Sequence, residues 1–214
     1  MYTKVREKAH ISYLTNIQRK FLKKFIEIAS MQGVNEKTLH DVSAEIYGND
    51  SAYVTDYYAG LSAVVSAIEE YFDQIMIMEV KNINIESITE KIRIGLKERI
   101  YAGGNRKNYY KKLFNYYVRP SCIDIAAKNS WKTIDTIWHF AGDQSLDSNY
   151  YSKRVILFTI YNSAIMNYIN SDEAGFQKTN DFIDASLEKT KKFNQFKKKF
   201  GPSNLPFVRL FNFN

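Results

Sequence analysis

Few residues in this 214-residue chain are of types and spacings that could do chemistry. The histidines are His10, His40 and His139. Glu7 and His10 make one Glu-x-x-His pair, whereas a di-iron helical bundle needs two such pairs and two further carboxylates. That pair therefore reads as solvated. His40 sits beside an acidic stretch and reads as a surface residue. His139 is expected to pack or to bond to backbone. Cys122 is the single cysteine, so no internal disulfide can form. It reads as a small buried apolar residue, since nothing nearby looks like a base. Gly103-Gly104 lacks the Lys-Ser or Lys-Thr of a phosphate loop. Zinc spacing, a nucleophile elbow and a dinucleotide fingerprint are also missing from the sequence. The expectation is a non-catalytic protein with no metal and no cofactor.

The charge pattern speaks to partners. The net charge is +7, yet residues 189–214 carry seven bases and no acid, so residues 1–188 are formally neutral. From Thr38 to Val80 there is no Lys or Arg, but there are Asp41, Glu45, Asp50, Asp56, Glu69, Glu70, Asp73 and Glu79. A surface of that sign repels a phosphate backbone, so no nucleic acid is expected as a partner.

The elements that must position any site read as helices. The chain has 3 Pro and 9 Gly, which favours long helices with short connections. Thr15 or Asn16 is placed to cap a first helix to Met31, with Ile17, Phe21, Leu22, Phe25, Ile28 and Ala29 on one face. Gly33 would end it as a left-handed cap. Asn35 opens a second helix, closed by Gly48, and Asp50 or Ser51 a third, through Tyr58. Three short helices joined by glycine turns read as a helix-turn-helix-like unit. Further helices are expected over 61–80, from Ser87 or Thr89 to Ala102, and over 105–118. Another is expected over 121–140, with a possible interruption near Ser130. Two more follow, over 147–169 and from Asp172 or Glu173 to Phe200. The fold class is all-α, with no convincing strand. The helix from Asp147 is apolar on nearly every face after Val155 and should be buried all round. Alternatively it lines an apolar ligand cavity or a dimer seam, with Leu157, Tyr161 and Ile165 the candidates for lining such a cavity.

One run is specific. Residues 138–154 read Trp-His-Phe-Ala-Gly-Asp-Gln-Ser-Leu-Asp-Ser-Asn-Tyr-Tyr-Ser-Lys-Arg. This resembles the signature of the ubiquinone-biosynthesis accessory lipid-binding family, Trp-x-x-Ala-Gly-Asp-x-Ser-x-Asp-x-Asn-aromatic-Tyr-Thr-Lys-Arg. Trp138, Ala141, Gly142, Asp143, Ser145, Asp147, Asn149, Tyr151, Lys153 and Arg154 match. Ser152 stands for the usual Thr, Tyr150 for a frequent Trp and Ser148 for a frequent Phe. Asp135 and Ile137 precede the run as they should, and Pro120 and Arg99 have counterparts. Read without the family, Gly142 ends a helix and Asp147 starts the next, with Ser145 able to share the cap. Asp143, Asp147 and Arg154 could form a buried ion pair fixing the corner. Alternatively, Arg154 beside aromatics could be an interface anchor.

The resemblance implies a tetracycline-repressor-like helical fold, a homodimer and an apolar cavity for an isoprenoid quinone precursor or other lipid. It further implies a di-iron hydroxylase docking on Asp147, Asn149, Tyr150, Tyr151 and Arg154. A repressor-type DNA-binding regulator is the alternative, and the base-free Thr38 to Val80 stretch weighs against it. Residues 1–15 read as a flexible N-terminus, 16–188 as the lipid-binding domain and 189–214 as a basic amphipathic C-terminal helix and tail. In that last part Phe193, Phe196 and Phe200 form a stripe flanked by Lys197, Lys198 and Lys199, a pattern suited to an anionic membrane surface. The expected location is cytoplasmic, peripheral on the inner membrane.

Overall fold

The computed structural model describes residues 14–48, 59–104, 106–143, 148–171 and 176–199, with backbone alone for 148–149 and 193–199. Those residues form eight α-helices, one 3-10 turn and no strand. This all-helical architecture is consistent with the repressor-like fold.

Local chemistry sets the helix starts. Helix α1 (Asn16–Gln32) opens on a capping box, in which the Gln18 amide donates to Thr15 Oγ1 (3.2 Å) and the Thr15 amide donates to Gln18 Oε1 (2.8 Å). Helix α2 (Glu36–Tyr47) is capped by Asn35, whose Oδ1 accepts from the Thr38 amide at 2.9 Å. After α3 (Leu61–Val80), Ser87 caps α4 (Ile88–Ala102). Helix α5 (Lys107–Tyr117) leads into a 3-10 turn at Pro120–Cys122, where the proline sits at the first position and its missing N–H costs nothing. Helices α6 (Ile123–Ala141), α7 (Ser148–Asn170) and α8 (Gln177–Lys199) complete the bundle.

Helix α4 packs on α3, α6 and α8, while α7 packs on α5, α6 and α8; α1 joins α2 to this body through α5. The core runs through Phe21 and Phe25 of α1, Ile68 and Phe72 of α3, Leu96 of α4, Ile134 and Ile137 of α6 and Tyr168 of α7, all fully buried. Each such side chain contributes roughly 1.5–3 kcal/mol on burial. Helices α4 and α6 approach closely at Gly95, where an added Cβ would lie 3.2 Å from Ile137 Cγ2. Three tyrosines join two phenylalanines in one chain of ring contacts, from Phe72 to Tyr109 and Tyr110, then Tyr168 and Phe176. Cys122 is a buried free thiol.

Several expectations are corrected. Helix α6 passes Ser130 without interruption, because Ser130 spends its hydroxyl on Asn162 Oδ1 of α7 (3.1 Å) rather than on its own backbone. Gly33 has the positive φ expected of a cap, 98°, but its ψ of 167° is extended rather than left-handed helical. Ile17 lies on the exposed side of α1, and Ile26 takes its place in the core. His139 is exposed. Helix α7 is not buried all round: Val155 is 54% and Ile156 37% exposed. The expected start of the last helix at Asp172 or Glu173 lies outside the described residues, and α8 is described over Gln177–Lys199. The expected third short helix lies outside the described residues.

Candidate functional site

The Trp138–Arg154 run builds a corner between α6 and α7. Gly142 adopts φ 83° and ψ 25°, a conformation costly for a residue with a Cβ. Its amide donates to the His139 carbonyl (3.0 Å) and the Asp143 amide to the Trp138 carbonyl (3.1 Å), the paired bonds of a Schellman ending. Asp143 then accepts from Lys153 Nζ (2.9 Å) and from Arg154 Nη1 (3.3 Å). Arg154 also donates from Nε to Asp135 Oδ1 (2.8 Å), and its guanidinium lies 3.3 Å from the Tyr150 ring centroid. Arg154 is 4% exposed, so its guanidinium holds the corner from inside. Tyr150 is half-buried and donates to Asp135 (3.2 Å), whereas Tyr151 is 66% exposed and meets Tyr150 edge-on. Tyr151 and Val155 are four residues apart on α7, and with Ile156 they leave an apolar face open at the surface.

A second feature lies between α3, α5, α6 and α7. A cavity of about 450 Å³ has apolar walls that include Leu113, Phe158, Ile165 and Met166. Phe114, Val118, Ile123 and Ala127 line the same cavity and are exposed, which places them at its mouth. Four polar lining residues are buried, Glu69, Tyr110, Asn129 and Tyr161, while Tyr117, Ser130 and Asn162 are partly exposed.

Behind Glu69 stands an ionic cluster. Arg99, fully buried, pairs through Nη2 with Glu69 and through Nε with Asp73. Thr133 donates to Asp73 (2.8 Å), and Tyr117 reaches Glu69 Oε1 at 3.4 Å while accepting from Asn129 (3.0 Å). Arg99 lies 5.4 Å from the Phe72 ring and 5.8 Å from that of Tyr161. Burial pushes both carboxyls above their ordinary range, with Arg99 opposing the shift in each. One guanidinium faces two acids, so with both ionised the cluster would hold an unbalanced negative charge in a poorly solvating interior. The Tyr110 hydroxyl and Arg99 Nη1 are also buried beside this cluster.

Among the residues expected at the site, Tyr161 and Ile165 line this cavity. Leu157 turns instead to a separate groove of about 300 Å³ beside Trp138, Ile160 and Leu187. Asn149 lies in the first turn of α7. Asp147 and Phe200 lie outside the described residues, as do the side chains of Phe193, Phe196, Lys197, Lys198 and Lys199. Sequence reasoning missed Glu69, Asp73 and Tyr117. A signal existed: Glu69 and Asp73 are four apart on a helix side that also carries Val65, Phe72 and Met76.

These features define an all-helical protein whose bundle encloses an apolar cavity ending on buried polar groups. Residues 123–194, about a third of the chain, match the COQ9 family model. Ubiquinone biosynthesis protein COQ9, mitochondrial, of Bos taurus is 25% identical over 162 residues, covering 73% of this chain and 49% of that protein. Its Rattus norvegicus counterpart is 22% identical over 161 residues, 73% and 50% of the two chains. The probable ubiquinone biosynthesis protein coq9, mitochondrial, of Dictyostelium discoideum is 25% identical over 162 residues, again 73% and 50%. The chain spans about half the length of these curated relatives. The matches support the ubiquinone-biosynthesis accessory family, the one that the Trp138–Arg154 run resembles.

Proposed function

We propose that this chain is a non-catalytic lipid-binding accessory protein of ubiquinone biosynthesis, presenting an isoprenoid quinone precursor to a di-iron hydroxylase at the inner membrane. The cavity between α3, α5, α6 and α7 carries this reading: its walls are largely apolar, its mouth is apolar and exposed, and Glu69, Tyr110, Asn129 and Tyr161 add buried hydrogen-bonding groups. That layout suits an amphiphile with a long hydrocarbon chain. The open α7 face at Tyr151, Val155 and Ile156 is the proposed hydroxylase-docking surface, held rigid by the Arg154 corner. No helix among the described residues is long and apolar enough to cross a membrane. The proposed membrane contact is the basic, Phe-bearing segment from Lys189 onward, and the proposed assembly is a homodimer.

The test is native mass spectrometry of the purified chain, followed by solvent extraction and identification of any lipid. A co-purifying isoprenoid lipid is expected, and an Ala126→Trp variant that fills the cavity should arrive without it. A protein that stays empty and ignores added quinone precursors would overturn the reading.

A further inference from the structure

We propose that Glu69 is a specificity-determining residue, which admits a lipid with an uncharged, oxygen-bearing head group and rejects one ending in a carboxylate or phosphate. This deepens the lipid-binding reading and rests on it.

The cavity mouth is formed by exposed apolar residues, among them Phe114, Val118 and Ile123, whereas Glu69, Tyr110, Asn129 and Tyr161 are buried inside. A chain leaving at the mouth stays on apolar surface, and a head group placed inside finds partners. The reverse orientation would set hydrocarbon against these polar groups and leave their spare hydrogen-bonding capacity unmet, at a cost.

Of the two carboxylates on Arg99, Asp73 also receives the Thr133 hydroxyl at 2.8 Å, and it does not line the cavity. Glu69 does line it, and among the described residues its Oε1 has one long contact, from Tyr117 at 3.4 Å. A ligand oxygen can complete that coordination. A phenol can donate to Glu69 when it is ionised, and a phenol or carbonyl can accept from it when it is protonated. An anionic head cannot approach without an extra proton, because a second negative charge would enter a site that already holds two acids for one base. The raised proton affinity of Glu69, caused first by burial, agrees with this.

The experiment measures binding of three probes of equal chain length to the full chain by isothermal titration in mild detergent at pH 7.5. They are a farnesyl-substituted phenol, farnesoic acid and farnesene. The wild type should bind the phenol at least tenfold more tightly than the acid, with farnesene between them. Glu69→Gln should shrink the phenol-to-acid ratio to threefold or less, mainly by tightening acid binding, and leave farnesene unchanged. Glu69→Gln keeps the Arg99–Asp73 pair, and Glu70→Gln, on the more exposed neighbour, should leave the ratio alone. The wild-type ratio needs no variant, so the inference is testable even if Glu69→Gln fails to fold. Acid binding equal to phenol binding would overturn it, as would an equal loss for all three probes in Glu69→Gln. If no probe binds the wild type, the lipid-binding reading itself falls; if all three bind alike, the head-group inference falls alone.

Discussion

Replacing Arg99 with methionine removes the one cation in the buried cluster while keeping most of the side-chain volume. Glu69 and Asp73 would then stay buried with no positive partner. Breaking a buried ion pair by deleting one member costs about 3–5 kcal/mol. Loss of the guanidinium contacts with the Phe72 and Tyr161 rings adds about 0.5–1 kcal/mol. A total near 4 kcal/mol is a large fraction of a typical stability of about 5–15 kcal/mol. With a urea dependence of about 2 kcal/mol per molar, the unfolding midpoint should fall by roughly 2 M. The assay is urea unfolding followed by far-ultraviolet circular dichroism at pH 7.5 and pH 5. The deficit should be smaller at pH 5, where the stranded carboxyls can take up protons. Adding Glu69→Gln and Asp73→Asn to Arg99→Met should recover most of it. A midpoint shift under about 0.5 M, or one equal at both pH values, would refute the claim that Arg99 compensates two buried acids.

The wild type has its own pH dependence. Burial raises the Glu69 proton affinity, so the folded state keeps this proton to higher pH than the unfolded state, whose value is near 4.5. The associated stability is fully present below that value and is lost as pH rises through the folded one. Melting curves from pH 4 to 8 should therefore show a downward slope in the wild type that Glu69→Gln reduces. Gly142→Ala places a Cβ at φ 83° and should cost about 1–2 kcal/mol, read as a lower urea midpoint. Gly103→Ala would bring a Cβ to 2.6 Å from Tyr110 Cε2 and should cost about 1–3 kcal/mol by forcing that buried ring aside. Tyr151→Ala should leave stability within about 0.5 kcal/mol of wild type, yet weaken capture of the hydroxylase in a pull-down.

What the sequence made legible was local. Asn35, Ser87 and Thr15 announce helix starts because a cap needs only its own neighbours, and Leu61–Val80 is the span that the apolar pattern predicts. The Gly142 corner was legible for the same reason. The ionic cluster was not, since Arg99 meets Glu69 and Asp73 across 30 and 26 residues of chain. Within the base-free stretch those two acids read as a surface that repels phosphate, while in the fold both are buried. Helix α7 shows the opposite difficulty. Its apolar residues point three ways, to the core at Ala164 and Tyr168, to the cavity at Phe158 and Ile165, and to solvent at Tyr151 and Val155. Periodicity reports only that water is disfavoured on a face; it cannot say whether protein, ligand or another chain excludes it.

The buried thiol of Cys122 has a practical side. Thiol labelling proceeds through an accessible thiolate, and this sulfur, the single one of its kind in the chain, is buried within the turn between α5 and α6. A cysteine introduced at the open position of Val155 would thus take up a fluorophore or spin label selectively, with no background site to remove first. The native protein is already prepared for single-site spectroscopy of the face through which it is proposed to meet its partner.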